Sequence, residues 1–136
     1  MRWLILALAL VVPAAAQAER VAIYDGSNRL LGYDEHTGNR TTHYDASNRQ
    51  TGRSERNGNR VEHYDAGNRV IGRDERDGDR VTHYDASNRQ TGRSERQGSR
   101  VNRYDSSNRA IGHDEQDGDR VDSYDASNRR TGSRTR

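Results

Sequence analysis

Beyond position 18, apolar residues are few and recur at fixed intervals, without the spacing of three or four residues that marks an amphipathic helix. The most regular position is a tyrosine that returns every 20 residues and is followed each time by aspartate. Pairs of turn-forming residues separate these positions, so the pattern predicts short β-strands joined by tight turns. The tyrosines are Tyr24, Tyr44, Tyr64, Tyr84, Tyr104 and Tyr124.

Two series of turn signals interleave and divide each 20-residue unit in half. One series ends in glycine, as in Asn57-Gly58, and such pairs are strong signals for a two-residue hairpin. The other ends in asparagine, as in Ser47-Asn48, and asparagine tolerates positive φ. We therefore predict an all-β, antiparallel meander of about twelve 8-residue strands in six 20-residue repeats, beginning at 19–26 and ending at 129–136. The sheet is either open and twisted or closed into a barrel-like ring.

Pairing outward from these turns aligns charged residues into one row across the sheet. The turn at 57–58 is expected to pair residue 55 with 60, and the turn at 67–68 to pair 60 with 75. Facing opposite charges stabilise a sheet by roughly 0.2–1 kcal/mol a pair. On the same face, each tyrosine is expected to face a threonine or an aliphatic residue. The predicted structural ladder is Arg20, Glu35, Arg40, Glu55, Arg60, Glu75, Arg80, Glu95, Arg100, Glu115 and Arg120.

The opposite face carries glycine on every second strand, which leaves room for a neighbouring ring and lets the sheet bend. His43, His63 and His83 alternate with these glycines in the same row. Because the histidines fall on every second strand, their rings are expected about 9.6 Å apart. That distance is too long for shared zinc ligation, so we expect solvated histidines and no metal site.

The first residues have the layout of a secretory signal. One arginine precedes an apolar run from Trp3 to Val12, and Ala16-Gln17-Ala18 forms a cleavage site. We therefore predict an N-terminal signal helix over 1–18, with cleavage after Ala18, and a secreted or periplasmic β-repeat domain over 19–136. The apolar run is too short to span a bilayer, so we do not expect the processed chain to span a membrane.

The composition excludes several classes of protein. The chain has no cysteine, which excludes a disulfide scaffold and thiol chemistry. After the signal, Leu, Ile, Val and Phe make up about a tenth of the residues, too few for a conventional core or a buried, dry active site. Arginine supplies every basic residue and is nearly balanced by Asp and Glu, so nucleic-acid binding is not expected. One alternative stays open: a disordered Arg/Asp-rich secreted polypeptide that orders on a partner.

The segment from Gly58 to Arg69, Gly-Asn-Arg-Val-Glu-His-Tyr-Asp-Ala-Gly-Asn-Arg, resembles the YD repeat, the tyrosine-aspartate repeat of bacterial Rhs proteins and teneurins. The resemblance covers about residues 20–132. It implies long antiparallel hairpin sheets and an extracytoplasmic interaction role, with no specific activity. The chain departs from the family pattern in carrying asparagine, as at Asn68, where that pattern has glycine.

These observations favour a non-enzymatic structural or binding module at the cell envelope. A row of tyrosines beside arginines suits a carbohydrate or a protein partner. An exposed first or last strand would also allow edge-to-edge pairing of two copies. We expect no catalytic residue and no cofactor, and weak calcium binding at turns such as Asp77-Gly78-Asp79 stays open. The expected binding residues are Tyr44, Tyr64, Tyr84, Tyr104 and Tyr124.

Overall fold

A computed structural model describes residues 18–136, so the predicted signal lies outside the described residues except for its last position. The described chain is all-β and confirms the twelve predicted antiparallel strands. Even-numbered strands before the last have eight residues, whereas the odd-numbered strands are shorter, with six or seven. The strands are β1 (Glu19–Asp25), β2 (Leu30–Thr37), β3 (Arg40–Asp45), β4 (Gln50–Asn57), β5 (Arg60–Asp65), β6 (Val70–Asp77), β7 (Arg80–Asp85), β8 (Gln90–Gln97), β9 (Arg100–Asp105), β10 (Ala110–Asp117), β11 (Arg120–Asp125) and β12 (Arg130–Thr135).

The sheet closes into a barrel, which decides between the two predicted forms. Each strand pairs with its neighbours in sequence, and β1 pairs antiparallel with β12, where Ala22 lies opposite Thr135 and Asp25 opposite Gly132. Closure leaves neither terminal strand as a free edge within residues 18–136. The edge-to-edge pairing of two copies was predicted from an exposed terminal strand, and these residues provide no such strand.

The glycine turns are centred one residue later than predicted, and this changes the register. Asn57 pairs with Arg60, so the central residues of that turn are Gly58 and Asn59. Only Gly58 has a positive φ, 60°, and a turn with glycine as the sole positive-φ residue at its first central position corresponds to type II′ rather than type I′. Glu55 consequently faces Glu62 instead of Arg60.

The predicted charge ladder is therefore correct in one half of each repeat and wrong in the other. Arg40 faces Glu55 and Arg60 faces Glu75, as predicted across the asparagine turns, and Arg20, Arg80 and Arg100 likewise face Glu35, Glu95 and Glu115. Across the glycine turns, the predicted pairs Glu35–Arg40, Glu55–Arg60, Glu75–Arg80, Glu95–Arg100 and Glu115–Arg120 are absent, and the five glutamates face Thr42, Glu62, Thr82, Asn102 and Asp122. The slip is two residues, so every side chain keeps its predicted face.

The asparagine turns explain why aspartate follows each repeated tyrosine and arginine follows each asparagine. Asn68 has a φ of 65°, and its backbone N–H donates to the backbone carbonyl of Asp65. The Asp65 carboxylate accepts the backbone N–H of Arg69 and pairs with its guanidinium at 3.1 Å. These turns also place a β-bulge next to the tyrosine, so Tyr64 lies opposite Val70 rather than the predicted Ile71.

At the glycine row, the backbone of a neighbouring strand leaves no space for a side chain. A Cβ atom at Gly72 would lie 2.6 Å from the carbonyl oxygen of Tyr84, and one at Gly132 would lie 2.7 Å from that of Tyr24. Real Cβ atoms do not come this close to backbone. A neighbouring carbonyl, rather than a neighbouring ring, therefore requires glycine at these positions.

One face of the sheet forms the interior. A single cavity is lined by Val21 from β1, Arg56 from β4, Val101 from β9 and Arg136, which follows β12, and only an inward-facing surface brings these strands together. His43 shares this face, because it is the cross-strand partner of Asp34, which also lines the cavity. Among the described residues, Val21 is the one buried apolar side chain. The interior is thus polar, in line with the absence of a conventional core.

Candidate functional site

A continuous chain of hydrogen bonds crosses the barrel interior over seven neighbouring strands. His43 Nδ1 donates to Asp34 Oδ1 at 2.6 Å, and His43 Nε2 lies 2.9 Å from the Ser54 hydroxyl. The same hydroxyl lies 2.8 Å from His63 Nδ1. We call this chain the interior belt; its members are Asp34, His43, Ser54, His63, Asp74, His83 and Ser94.

The second half of the interior belt is organised around one carboxylate. Asp74 Oδ2 lies 3.1 Å from His63 Nε2, and Asp74 Oδ1 lies 2.7 Å from His83 Nδ1. His83 Nε2 in turn lies 2.9 Å from the Ser94 hydroxyl. Each histidine of the predicted solvated row is therefore held on both ring nitrogens by residues of the adjacent strands.

The expectation of separately solvated histidines is thus wrong. Sequence reasoning considered the histidines alone and missed Asp34, Ser54, Asp74 and Ser94, which fill the spaces between them. The 40-residue period carries the signal, since this position alternates Asp and Ser on successive even strands. No group of three or more potential metal ligands in metal-binding geometry occurs among residues 18–136.

Asp74 is ionised within this arrangement. Desolvation raises its pKa, but the hydrogen bonds from His63 and His83 and the positive charge of these rings outweigh that effect. The pKa of Asp74 therefore lies well below its usual range. The carboxylate acts as the fixed negative charge to which both flanking histidines donate.

The connectivity Asp34–His43–Ser54 matches that of a nucleophilic triad, with the carboxylate on Nδ1 and the hydroxyl on Nε2. Two features argue against this role. The Ser54 hydroxyl is also bound by His63, and the residue is only 8% exposed. In addition, Ser54 lies within the paired region of β4, where backbone N–H groups are used by the ladder rather than directed at a reacting atom. The arrangement braces neighbouring strands from the inside.

The interior opens into a cavity of about 490 Å³. Its lining includes Gly118 and Asp119 of the last glycine turn, so it lies at the end of the barrel that carries these turns. We call this end the glycine-turn mouth. The volume falls within the range of small-molecule sites, about 300–1,000 Å³, and the lining is mainly polar. Its polar side chains are both basic and acidic: Asp34, His36, Arg56, Arg96, Ser99, Asp114, Gln116, Asp119, Arg134 and Arg136.

Two smaller lobes join this mouth to the interior belt. One, of about 310 Å³, is lined by His36, Asn39, Ser54 and Arg56. The other, of about 210 Å³, is lined by Arg56, Asn59, Asp74 and Arg76. Because Ser54 and Asp74 are members of the interior belt, the belt forms the floor of both lobes.

The predicted binding tyrosines lie on the outer face, and most of their rings already have a packing partner. The Arg53 guanidinium lies 4.1 Å from the ring centre of Tyr64, and Arg73 and Arg93 cover Tyr84 and Tyr104 in the same way. Tyr124 stacks on His113 at 4.9 Å, and Tyr44 is the cross-strand partner of Tyr33. These contacts fit a packing role for the row, with one face of the stacked rings covered.

Exposed apolar residues on the outer face do not form one patch. Leu31, Val70, Ile71 and Ile111 are each about half exposed, but they lie on three separate strands, β2, β6 and β10, which are four strand intervals apart. That spacing is roughly 19 Å around the barrel, with threonine on the even strands between them. We see no continuous apolar surface among them for a partner to cover.

No protein-family model matches this chain, and no curated protein sequence matches it. Among solved structures, it is similar to a mutant of S. aureus TarM in complex with Fondaparinux, alpha-GlcNAc-glycerol and UDP. That similarity has a TM-score of 0.28 and 10% identity, and it covers 74% of this chain and 21% of the other. The chain spans about a fifth of that protein, and a likeness at this TM-score carries no argument about fold or activity. Within residues 18–136, we find no helix with the length and apolar character to cross a membrane.

Proposed function

We propose that this chain is a secreted or periplasmic, non-enzymatic binding module that holds a carbohydrate at the glycine-turn mouth. The observation that carries the proposal is the cavity of about 490 Å³, to which strands from both ends of the chain contribute. A cavity of that size accepts a sugar of one to a few rings. The resemblance of the chain to YD repeats supports an interaction role outside the cytoplasm.

The chemistry of the lining favours a sugar over an apolar ligand. Arginine, glutamine and aspartate side chains converge there, and these are donors and acceptors suited to hydroxyl groups. The outer tyrosines, which would be the alternative sugar platform, already pack against arginine or histidine. A ligand at the mouth would meet polar groups on several sides, whereas one on the outer face would first displace a guanidinium.

The proposal is tested by titrating the isotope-labelled protein with a panel of neutral and acidic mono- and oligosaccharides, followed by NMR. We expect saturable shifts at cavity residues such as Val101 and Gln116, and no shifts at the outer tyrosines. Gln116→Trp places an indole in the mouth and should abolish binding. Ile111→Trp, on the outer face, is the matched control and should bind normally. Binding that survives Gln116→Trp, or shifts centred on Tyr64 and Tyr84, would overturn the proposal.

A further inference from the structure

We infer that the glycine-turn mouth selects an acidic saccharide and holds the carboxylate of its sugar between Arg56 and Arg76. The inference rests on the proposed function and names the class of ligand for the same site. It starts from the ion pairs of the chain, which leave these two guanidiniums without a carboxylate. It then depends on how the turns around the mouth differ from one repeat to the next.

Ion pairing is nearly complete elsewhere in the described chain. Residues 18–136 contain 22 arginines. All but four of them lie within 4.0 Å of a carboxylate. Three of the four exceptions in this part of the chain face the mouth, and the fourth lies on the outer face. The exceptions are Arg56, Arg76 and Arg96 at the mouth, and Arg40 outside.

The turns on either side of a mouth arginine differ in charge from one repeat to the next. The backbone N–H groups of Arg56 and Arg76 donate to the carbonyls of Asn39 and Asn59, both at 2.8 Å. The N–H of Arg96 instead donates to the carbonyl of Asp79. Both turns beside Arg56 are therefore neutral, whereas Asp79 lies in the turn that separates Arg76 from Arg96. The positive charge of the mouth is least balanced at Arg56, and the neutral turn that carries Asn59 lies between Arg56 and Arg76.

The sector between β4 and β6 brings two arginines without an ion pair to one lobe. Arg56 and Arg76 line the same lobe of about 210 Å³ from the inward faces of β4 and β6. Each guanidinium presents a planar fork that matches a carboxylate in two parallel hydrogen bonds. Asp74 also lines this lobe, but both of its oxygens are engaged by His63 and His83. Both guanidiniums are exposed and have no carboxylate of the chain within ion-pair distance, so they are available to the carboxylate of a ligand.

The remaining lining suits the body of a sugar. Asn59 shares the lobe with the two arginines, and the adjoining lobe of about 310 Å³ adds Asn39, His36 and the Ser54 hydroxyl. Val61 and Val81 add apolar surface, against which the C–H groups of a sugar ring pack. Amide and hydroxyl groups both donate and accept, as the hydroxyl groups of a sugar require. A uronic acid, which carries a carboxylate on a hydroxyl-rich ring, combines the two requirements.

The test compares glucuronate, glucose and inorganic phosphate as ligands for the full purified chain, by calorimetry at low and physiological ionic strength. We expect glucuronate to bind more tightly than either of the others. Arg56→Gln and Arg76→Gln should each weaken glucuronate binding about tenfold or more, because each removes a charge-assisted pair. Arg40→Gln removes an outer arginine that also has no ion pair and should leave binding unchanged.

A second pair of variants tests the asymmetry of the mouth without removing any arginine. Asn39→Asp and Asn59→Asp give the early turns the carboxylate that Asp79 and Asp119 supply in later repeats. Because these positions already accept either residue within the same fold, the variants should stay folded. They should lose glucuronate affinity while keeping affinity for glucose.

The outcomes separate this inference from the proposed function. If glucose and glucuronate bind equally, and the Arg56 and Arg76 variants bind like the parent, the inference fails and the proposed function stands. If phosphate matches glucuronate, the site holds an adventitious ion only and the inference fails. If no saccharide of either charge binds, the proposed function fails as well.

Discussion

The Nε2 atom of His43 lies 2.9 Å from the Ser54 hydroxyl, on the strand that follows it in the barrel. Ser54 therefore joins two histidines, because its other neighbour is His63. These contacts link three neighbouring strands through side chains as well as through the backbone ladder. In a barrel with one buried apolar residue in its described part, such polar links take on a role that hydrophobic packing usually fills.

Ser54→Ala should destabilise the barrel measurably. The change leaves two imidazole nitrogens without their partner in a mostly enclosed site, which costs about 1–3 kcal/mol in the free energy of unfolding. Ser94→Ala is the matched control, because the Ser94 hydroxyl is hydrogen-bonded to one histidine, His83, rather than to two, and the loss should be smaller. Urea denaturation followed by circular dichroism measures both. Equal losses, or none, would show that the interior belt does not brace the strands.

Asp74 should contribute to stability in a pH-dependent manner. Its folded-state pKa is lowered, because the hydrogen bonds and charges of His63 and His83 outweigh desolvation. Stability from such a group is fully present above the ordinary aspartate pKa near 4. It is lost as the pH falls through the lowered folded-state value. The stability gap between the parent and Asp74→Asn should therefore narrow from about pH 5 toward pH 2.

The control for this pH profile is Asp117→Asn, since Asp117 forms no ion pair within the described residues. Its stability should follow the parent in parallel across the acid range. The aspartates of the asparagine turns also have lowered pKa values, because they accept backbone hydrogen bonds, as Asp65 does from Arg69. Asp74→Asn should accordingly remove only part of the acid sensitivity. A gap that stays constant between pH 5 and pH 2 would contradict the role given to Asp74.

Gly72→Ala should strongly destabilise the folded state, because the backbone of the neighbouring strand leaves no space for a methyl group. The added methyl group would lie 2.6 Å from the carbonyl oxygen of Tyr84, and relieving that contact requires the strands to separate. Such overpacking costs about 1–3 kcal/mol. Gly67→Ser is the control, because Ser47 and Ser87 hold the same turn position in other repeats. Thermal melting should show a large decrease for the first variant and little change for the second.

Variants of Asn68 test why asparagine can replace glycine in the asparagine turns. Its φ of 65° lies in the left-handed region, where a residue with a Cβ other than Asn or Asp is destabilised by roughly 1–2 kcal/mol. Asn68→Ala should therefore lower the melting temperature more than Asn68→Gly does. If Ala and Gly behave alike, the backbone conformation does not determine the choice of asparagine.

The strand count could be predicted because turn residues carry local information. Gly58 and Asn68 each fix a turn by their own backbone preference, and the distance between turns sets the strand length. The two-residue slip at Gly58 was not predicted, because type I′ and type II′ turns both accept an Asn-Gly pair and differ in where the pair sits. Closure of the barrel could not be predicted, because no local sequence signal indicates that Ala22 on β1 pairs with Thr135 on β12.

The interior belt and the mouth needed the three-dimensional structure for a different reason. Asp34 and His43 are nine residues apart, and the link from His43 to Ser54 spans eleven. Their contact follows only from the corrected register together with knowledge of which face turns inward. Likewise, the sequence shows Arg56 and Arg76 as ordinary repeat positions. Their lack of an ion pair becomes visible only once the partners of the other arginines are known.

Closure between β1 and β12 is the central claim, because the interior, the mouth and the belt all depend on it. The chain has no cysteine, so Ala22→Cys with Thr135→Cys gives a single defined pair at directly facing positions of the two strands. Air oxidation of the dilute protein, read by mass spectrometry under non-reducing conditions, is the measurement. We expect one intramolecular disulfide in nearly every molecule and a raised melting temperature, whereas Ala22→Cys with Asn102→Cys, on β1 and β9, should stay reduced. Free thiols or disulfide-linked dimers in the first variant would contradict the closed barrel.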